Sequence, residues 1–390
     1  MTEQRAEEWR ALARLATDAT LGVTDVVEGV HQAIWGALGF RGPVPGRTGG
    51  ITGLVYRQVR AITALAGSGA GHVAALAAEL APLPAGEAAR PAHWLAILNG
   101  IMGDRLHAME SPLAIPMSLQ DHGDALASAA LPQAPVSKLL LLIHGLCMNE
   151  FGWQSETNYG EMLARERGYT PLYLRYNSGR AVADNAQALA RLLEDQCARW
   201  PQARISVLSH SMGGLLIRSA INCANEAQMA WPKRLDHLVF LGTPHHGAPL
   251  ERTGNWVDTL LAQTPISAPL AKLGHLRSAG ITDLRYGQLS AADSDPKQRF
   301  ARQPDRRRHA PLPAGVNAFT VAATLTEQGP RGLKGLLGDG LVPLSSALGR
   351  HRDPARGLDF GPEQQMIAWQ TGHLQLLNSK AVAEQLLRWL

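Results

Sequence analysis

The chain has 390 residues, of which 45% are hydrophobic and 18% are charged, so it can bury a large core and we do not expect disorder. Its 39 glycines and 24 prolines follow no period, which excludes collagen-like and simple-repeat architectures. The 37 basic and 33 acidic residues leave a net charge of +4, too small an excess to indicate a nucleic-acid-binding protein.

The cysteines and the apolar runs suggest where the protein resides. Cys147, Cys197 and Cys223 are odd in number and widely spaced, which argues against a disulfide framework or a zinc site. The first ten residues carry acids where a secretion signal would have a basic segment and then an apolar one. The purest apolar run, 139–143, is far shorter than the roughly 20 residues of a spanning helix. We therefore expect a cytoplasmic protein, with peripheral contact to a membrane left open.

Residues 1–112 have the pattern of a helical region. Segments 3–17 and 23–38 place apolar residues at helical spacing, and an Ala-rich helical stretch follows over 54–80. A last helix of this region carries Trp94, Leu98, Ile101, Met102, Leu106 and Met109. We interpret the region as a packed helical subdomain. Its alternative is an amphipathic surface that touches lipid, although dense flanking Lys and Arg are missing.

From residue 113 to residue 390, short apolar strands alternate with helices. The predicted strands are 139–143, 171–176, 205–208, 237–241 and 317–323, and the predicted helices are 183–199 and 213–225. This alternation indicates an α/β fold with a mostly parallel sheet, and the continuous apolar runs favour helices on both of its faces. Segment 250–315 is polar and breaks the alternation, which predicts a lid-like insertion over one end of the sheet.

The most specific signal is Ser209–Gly214, which lies between a predicted strand and a predicted helix. Strand, sharp turn and helix form the setting of a nucleophile elbow, in which the turn strains the backbone and exposes a serine hydroxyl. Ser211 is therefore the candidate nucleophile. Ser209 stands where the motif G-x-S-x-G has its first glycine, and we expect it to be buried and outside the chemistry. A loop that merely contains serine remains the alternative.

Acyl transfer also needs two backbone N–H donors that point at the developing oxyanion. One donor comes from the residue after the nucleophile, here Met212, and the other from the loop after an early strand. Leu146 is the natural second donor, because Gly145 lets the backbone turn its amide towards the site. His144 precedes the nucleophile in the chain, and we interpret it as an orienting or packing residue rather than a base.

Two further candidates follow the serine in the chain. Asp339 lies on a glycine-flanked turn from which a carboxylate can reach a histidine, although an Asp-Gly pair alone is an ordinary turn. His373 lies between a predicted short strand, 366–369, and a predicted final helix, 374–390. The order Ser211, Asp339, His373 is the order of the α/β-hydrolase triad.

Other residues give weaker signals. His245 and His246 are adjacent and invite a metal interpretation, but no acidic partner lies at ligand spacing, so we predict no metal site. Cys147 adjoins the candidate oxyanion loop and is interpreted as a small packing residue. The run 306–308 is interpreted as a solvated loop, with contact to an anionic surface as its alternative.

Five motifs together resemble one known family. They are His144-Gly145-Leu146, Ser209–Gly213, Gly242–Leu250, Gly338–Pro343 and Gly372-His373. The combination resembles α/β-hydrolase serine esterases and lipases, in particular the bacterial lipase group and the GPI-inositol-deacylase-like branch, over residues 136–385. The resemblance implies carboxylic-ester hydrolysis without a cofactor, and the single glycine after His144 is similar to enzymes that favour lipophilic acyl chains. Two departures are Ser209 in place of glycine and the missing secretion signal.

These residues predict a two-step acyl transfer through an acyl-enzyme. Ser211 would attack the ester, His373 would act as base and then acid, and Asp339 would hold the imidazole tautomer. The amides of Leu146 and Met212 would bind the oxyanion.

Substrate and class are less tightly determined. An acyltransferase with the same triad and a non-catalytic lipid-binding protein on this fold are the two alternatives. Leu260 and Leu261 in the insertion are predicted to line an acyl pocket, unless that face packs on the core. We expect a small-molecule or lipid ester as substrate, and no cofactor, metal or nucleic acid; the oligomeric state is left open.

Overall fold

The computed structural model describes residues 89–121, 124–125, 136–248, 278–290, 307, 309–327 and 338–390. Its strands are β1 (Ser118–Asp121), β2 (Asp124–Ala125), β3 (Lys138–Ile143), β4 (Thr170–Arg175), β5 (Arg204–His210), β6 (Leu235–Leu241), β7 (Asn317–Ala323) and β8 (Gln365–Ala368). Its helices are α1 (Ala89–Ala108), α2 (Tyr159–Arg167), α3 (Val182–Arg199), α4 (Met212–Glu226), α5 (Ala279–Asp283), α6 (Leu344–Ala347) and α7 (Lys380–Trp389).

The strands form one sheet in the order β2-β1-β4-β3-β5-β6-β7-β8. Strands β3 to β8 are parallel to one another, whereas β1 is antiparallel to both β2 and β4. Candidate nucleophile, acid and histidine follow β5, β7 and β8 in turn. This arrangement is the α/β-hydrolase fold, so the fold class predicted from the sequence is confirmed.

Helices cover both faces of the sheet, and the side chains of β3 show how. Leu139, Leu141 and Ile143 pack in one apolar cluster with residues of α3 and α4. Leu140 and Leu142 point to the opposite face and pack with residues of α2 and α7. A leucine buried this fully contributes roughly 1.5–3 kcal/mol, so an unbroken apolar run is stable only as a strand covered on both sides.

The strand order reverses at β3, and this reversal positions the site. The chain passes from β3 through α2 to β4 on one side, then through α3 back across to β5 on the other side. The loops after β3 and β5 therefore lead to helices on opposite faces of the sheet and leave a crevice between them at its carboxyl edge. Ligands bind at such crevices in open parallel sheets. Ile143 at the end of β3 pairs with Ser209 near the end of β5, which places the two loops side by side.

Predicted and observed elements agree for the central strands and differ in the β1–β2 hairpin and after residue 373. Each predicted strand, and each of the predicted helices 183–199 and 213–225, matches an observed element to within two residues. The β1–β2 hairpin was not predicted. The predicted continuous helix over 374–390 is wrong, because Ser379 has an extended backbone (φ −95°, ψ 120°) and caps α7 by accepting from the amide of Val382. Before it lies only a 3₁₀ helix, Leu374–Asn378.

Helix α1 packs in the same compact unit as the sheet, although it belongs to the predicted N-terminal region. A Cβ on Gly100 would lie 2.2 Å from Sγ and 2.8 Å from Cα of Cys147, so only glycine allows this approach. The division of the chain at residue 112 itself stays a prediction. Among the described helices, none combines the length and apolarity needed to cross a membrane.

The predicted insertion, 250–315, is described over 278–290, 307 and 309–315. Its helix α5 is buried against α1: Ser278 Oγ donates to the carbonyl oxygen of Gly100 at 2.7 Å. A Cβ on Gly280 would lie 2.9 Å from the side-chain methyl of Met212. This part of the insertion thus lies beside the turn that carries Ser211. Leu260 and Leu261 lie outside the described residues.

Candidate active site

Ser211 occupies a sharp turn between β5 and α4. Its backbone has φ 54° and ψ −122°, a conformation that costs a non-glycine residue roughly 1–3 kcal/mol. The neighbouring strand holds the turn in place, because the amide of Ser211 donates to the carbonyl oxygen of Leu241 at the end of β6, at 2.8 Å. Strain of this kind persists only where the surroundings over-determine it, and it is common at functional sites.

Glycines let the neighbouring backbones close around this serine. A Cβ on Gly145 would lie 3.0 Å from Cβ of Ser211, and a Cβ on Gly213 would lie 2.6 Å from the carbonyl oxygen of Ile143. The loop after β3 and the first turn of α4 therefore meet almost without intervening side chains. Ser209 is fully buried and donates from Oγ to the carbonyl oxygen of Val239 at 3.1 Å, which confirms its predicted burial.

Asp339 and His373 meet at the same edge of the sheet. Asp339 Oδ2 accepts from His373 Nδ1 at 2.6 Å, while Oδ1 accepts from the amides of Leu341 (3.0 Å) and Val342 (2.8 Å). The amide of His373 also donates to the carbonyl oxygen of Asp339 at 3.1 Å. Because Nδ1 carries the proton in this pair, Nε2 of His373 presents a lone pair.

Ser211 and His373 lie on turns at the same edge of the sheet, and no hydrogen bond joins them. Within the described part of the chain, neither Ser211 Oγ nor His373 Nε2 has a hydrogen-bond partner, and both residues are buried. Both adjoin His210: this residue precedes the serine, and its ring lies 4.8 Å from the ring of His373. The hydrogen bond through which His373 would take the proton of Ser211 is therefore not formed in this structure. Such contacts are often loose before substrate binds.

His210 and Gly242 hold His373 in place, and the sequence did not single out either for this task. His210 Nε2 donates to the carbonyl oxygen of His373 at 3.1 Å. Burial, and then the neighbouring His373, hold the pKa of His210 well below its usual value, so it is a neutral donor. A Cβ on Gly242 would lie 3.2 Å from two ring atoms of His373. The only sequence signals were the place of His210 beside the serine and the glycine that opens the motif Gly242–Leu250.

The two predicted oxyanion donors lie on the turns that flank Ser211. Leu146 and Met212 are both buried. The amides of their chain neighbours are occupied, since Cys147 donates to Ser178 Oγ at 3.1 Å and Ser211 donates to Leu241. The amides of Leu146 and Met212 remain the candidates, and their role stays a prediction.

His144 has the contacts of a packing residue. Its Nδ1 donates to the carbonyl oxygen of Gly145 at 2.8 Å, and its ring stacks on Tyr176 with a centroid separation of 4.4 Å. Burial lowers the pKa of His144 to about 4. The residue is therefore neutral near pH 7, and its contacts stiffen the loop that carries Gly145.

His245 and His246 lie in a cationic rather than a metal-binding setting. His245 Nδ1 accepts from Arg218 Nη1 at 3.3 Å, and no three His, Cys, Asp or Glu side chains of the described residues come together as a metal-binding group. The interpretation of run 306–308 as solvated is wrong for Arg307, whose Nη1 donates to the carbonyl oxygens of His245 and Gly287, both at 3.1 Å. Residues 306 and 308 lie outside the described part.

Comparisons with known proteins add the following. A family model described as a domain of unknown function (DUF7379) matches residues 116–284. No curated protein matches the chain. The chain is similar to a solved lipase of Bacillus licheniformis, BlEst2 in mature form, with 20% identity, a TM-score of 0.42, and coverage of 70% of this chain and 98% of that one.

Two further solved structures are similar at lower identity. A lipase-esterase related protein from Clostridium acetobutylicum has 15% identity and a TM-score of 0.37, covering 71% of this chain and 99% of that one. Phospholipase PlaB from Legionella pneumophila has 17% identity and a TM-score of 0.35, covering 54% of this chain and 45% of that one. At such low identities and TM-scores these likenesses carry no argument for activity or substrate. The α/β-hydrolase fold rests on the sheet topology and on the places of the strand-end turns.

Proposed function

We propose that this chain is a serine hydrolase that cleaves carboxylic esters, in particular lipophilic acyl esters, through an acyl-enzyme on Ser211. One observation carries the proposal. A strained serine at a strand-to-helix turn shares an edge of the sheet with a histidine whose tautomer is set by a buried aspartate. Within the described residues, neither the serine hydroxyl nor Nε2 of the histidine has a hydrogen-bond partner.

In the first step, Ser211 Oγ attacks the ester carbonyl carbon while His373 Nε2 takes its proton. Asp339 Oδ2 stabilises the imidazolium that forms, because it already accepts the Nδ1 proton. The developing oxyanion lies between the amides of Leu146 and Met212. Each donor of this kind contributes on the order of 3 kcal/mol to transition-state stability.

In the second half of the cycle, His373 gives its proton to the departing alcohol oxygen, which leaves an acyl ester on Ser211. A water molecule then transfers a proton to His373 and attacks the acyl carbon. Collapse of the second tetrahedral intermediate returns the proton to Ser211 and releases the carboxylic acid. An acyltransferase would differ only in using an alcohol in place of this water.

Covalent labelling tests the nucleophile. A fluorophosphonate probe should label the native chain on Ser211, and the Ser211→Ala variant should not react. Ser209→Ala is the matched control, because it removes the same hydroxyl two residues away and should still react. Labelling that persists in Ser211→Ala would exclude this serine as the nucleophile, and an unreactive native chain would favour a non-catalytic lipid-binding protein.

Substrate preference is tested with p-nitrophenyl esters of increasing chain length. We expect medium-chain esters to be cleaved faster than acetate. Replacing Leu260 and Leu261 by Ser should slow hydrolysis of medium-chain esters more than of acetate if these residues line the acyl pocket. Equal losses on both esters, with a lowered melting temperature, would show that this face packs on the core. Added alcohol acceptors in the same assay reveal any acyl transfer.

A further inference from the structure

A pocket apart from the candidate active site lies beside helix α4, and none of the proposed catalytic residues lines it. It lies between α4, the loop after β6 and the segment around residue 309. Among the described residues that line it, none is acidic and six carry a guanidinium or imidazole group: Arg218, His245, His246, Arg307, His309 and Arg356. A lining of this composition attracts anions.

Two of these side chains are buried with unused donors. Arg218 is 6% exposed and His245 is 1% exposed. Because Arg218 Nη1 donates to Nδ1 of His245, the imidazole proton lies on Nε2. Within the residues that the structure describes, neither the Nε–H of Arg218 nor the Nε2–H of His245 has an acceptor. A buried donor without an acceptor is costly, so each calls for a ligand oxygen.

A second guanidinium group raises the positive charge of the pocket further. Arg307 Nη1 is held by the carbonyl oxygens of His245 and Gly287. Burial, and then the charge of Arg307, lower the pKa of Arg218 to about 9. The two neighbouring guanidinium groups together favour a bound anion.

We propose that this pocket binds a phosphate group, with Arg218, Arg307 and Nε2 of His245 as its inner donors and the exposed His309 as a further donor. Guanidinium forks bind tetrahedral oxyanions through paired hydrogen bonds. A carboxylate offers one charge and two oxygens, whereas a phosphate monoester offers up to two charges and three terminal oxygens, so it can accept from more of these groups at once. The phosphate is either free or the headgroup of a larger ligand such as a lipid.

Binding is tested on the full chain by calorimetry with inorganic phosphate, in chloride buffers of constant ionic strength. Arg307→Gln should weaken binding about tenfold or more, since it removes a charge-assisted contact. His309→Gln changes an exposed member of the lining and should weaken binding without affecting the fold. Arg352→Gln removes an exposed charge of the neighbouring segment outside the lining, and it should bind phosphate like the native chain.

Vesicles distinguish the source of the phosphate. Phosphatidylcholine vesicles that contain phosphatidate are compared with vesicles that carry the same charge as oleate. Binding to phosphatidate vesicles alone, lost in Arg307→Gln, supports a lipid headgroup; binding of inorganic phosphate, lost in the same variant, supports a free phosphate. The proposal is overturned if neither binds, or if binding persists in both Arg307→Gln and His309→Gln.

Hydrolysis of a short p-nitrophenyl ester is measured alongside, so failure of the hydrolase proposal would show in the native chain and leave the phosphate result standing.

Discussion

Both carboxylate oxygens of Asp339 accept hydrogen bonds in the site, so a variant can change its charge while keeping its shape. Asp339→Asn keeps one oxygen for the amides of Leu341 and Val342 but turns an NH₂ group towards His373 Nδ1. The histidine is then forced into the tautomer that has no lone pair on Nε2. We expect kcat on p-nitrophenyl esters to fall about 10³–10⁴-fold with little change in melting temperature. A loss below about tenfold would show that Asp339 does not set the tautomer.

Ser209 tests which serine carries the chemistry. Ser209→Ala loses the hydrogen bond to Val239, which should cost about 1 kcal/mol of unfolding free energy. The hydroxyl does not take part in the proposed reaction, so kcat/KM should stay within a few-fold of the native value, while Ser211→Ala loses nearly all activity. Urea unfolding and ester hydrolysis measure the two effects separately. Comparable activity loss in both variants would mean that the nucleophile is misassigned.

The residues that the sequence could identify are those with a local signal. Ser211 lies in a recognisable strand-to-helix turn, and Asp339 and His373 follow it in the order of a known triad. His210 has no such signal, because its contact with His373 joins residues 163 positions apart. Its effect depends on the register that brings the ends of β5 and β8 to one edge, which only the folded sheet determines.

Among the strands as well, those with a clear sequence pattern of their own could be predicted and those without one could not. The strands β3 to β7 are apolar runs that can be stable only inside a covered sheet, so their pattern was sufficient to predict them. The hairpin of β1 and β2 was missed because β1 has four residues, buried only at its two middle positions, and β2 has two residues. These short strands depend on pairing, β1 with β4 and β2 with β1, rather than on their own pattern.

Helix α1 supports the candidate oxyanion loop, and a single methyl group tests this. Gly100→Ala would place Cβ 2.8 Å from Cα of Cys147, so the helix or the loop must move. We expect kcat on a short ester to fall at least tenfold, with a stability loss of about 1–3 kcal/mol from overpacking. Gly361→Ala is the control, because its Cβ would meet only the end of the Gln364 side chain at 3.2 Å. Full activity of Gly100→Ala would show that the loop tolerates movement of α1.

At the scale of the whole molecule, buried histidines couple stability to pH. The pKa of His144 and that of His246 are lowered to about 4, mainly by burial, and those of His210 and His245 lie well below their usual values for the same reason. The unfolded chain binds these protons near pH 6.5 and the folded chain does not. Stability is therefore complete above about pH 6.5 and is lost as the pH falls towards 4.

His144 alone should contribute about 3 kcal/mol to this loss, because a shift from 6.5 to about 4 is worth about 1.4 kcal/mol per pH unit. Urea unfolding of the native chain and of His144→Gln at pH 7, 5.5 and 4.5 measures it. The variant should be less stable at pH 7 and lose less stability on acidification. An unchanged pH slope in the variant would mean that His144 is protonated without cost in the folded state.

The contact between Gly100 and Cys147 also has a kinetic consequence. The thiol of Cys147 is buried beneath α1, and burial raises its pKa to about 12, so almost none of it is thiolate at neutral pH. An alkylating reagent can reach this sulfur only while the helix is briefly detached, and the thiol then ionises as in water. The alkylation rate would therefore report the free energy of local opening at α1. The alkylation rate of Cys147 would thus measure how often helix α1 detaches from the loop that carries the proposed oxyanion donor.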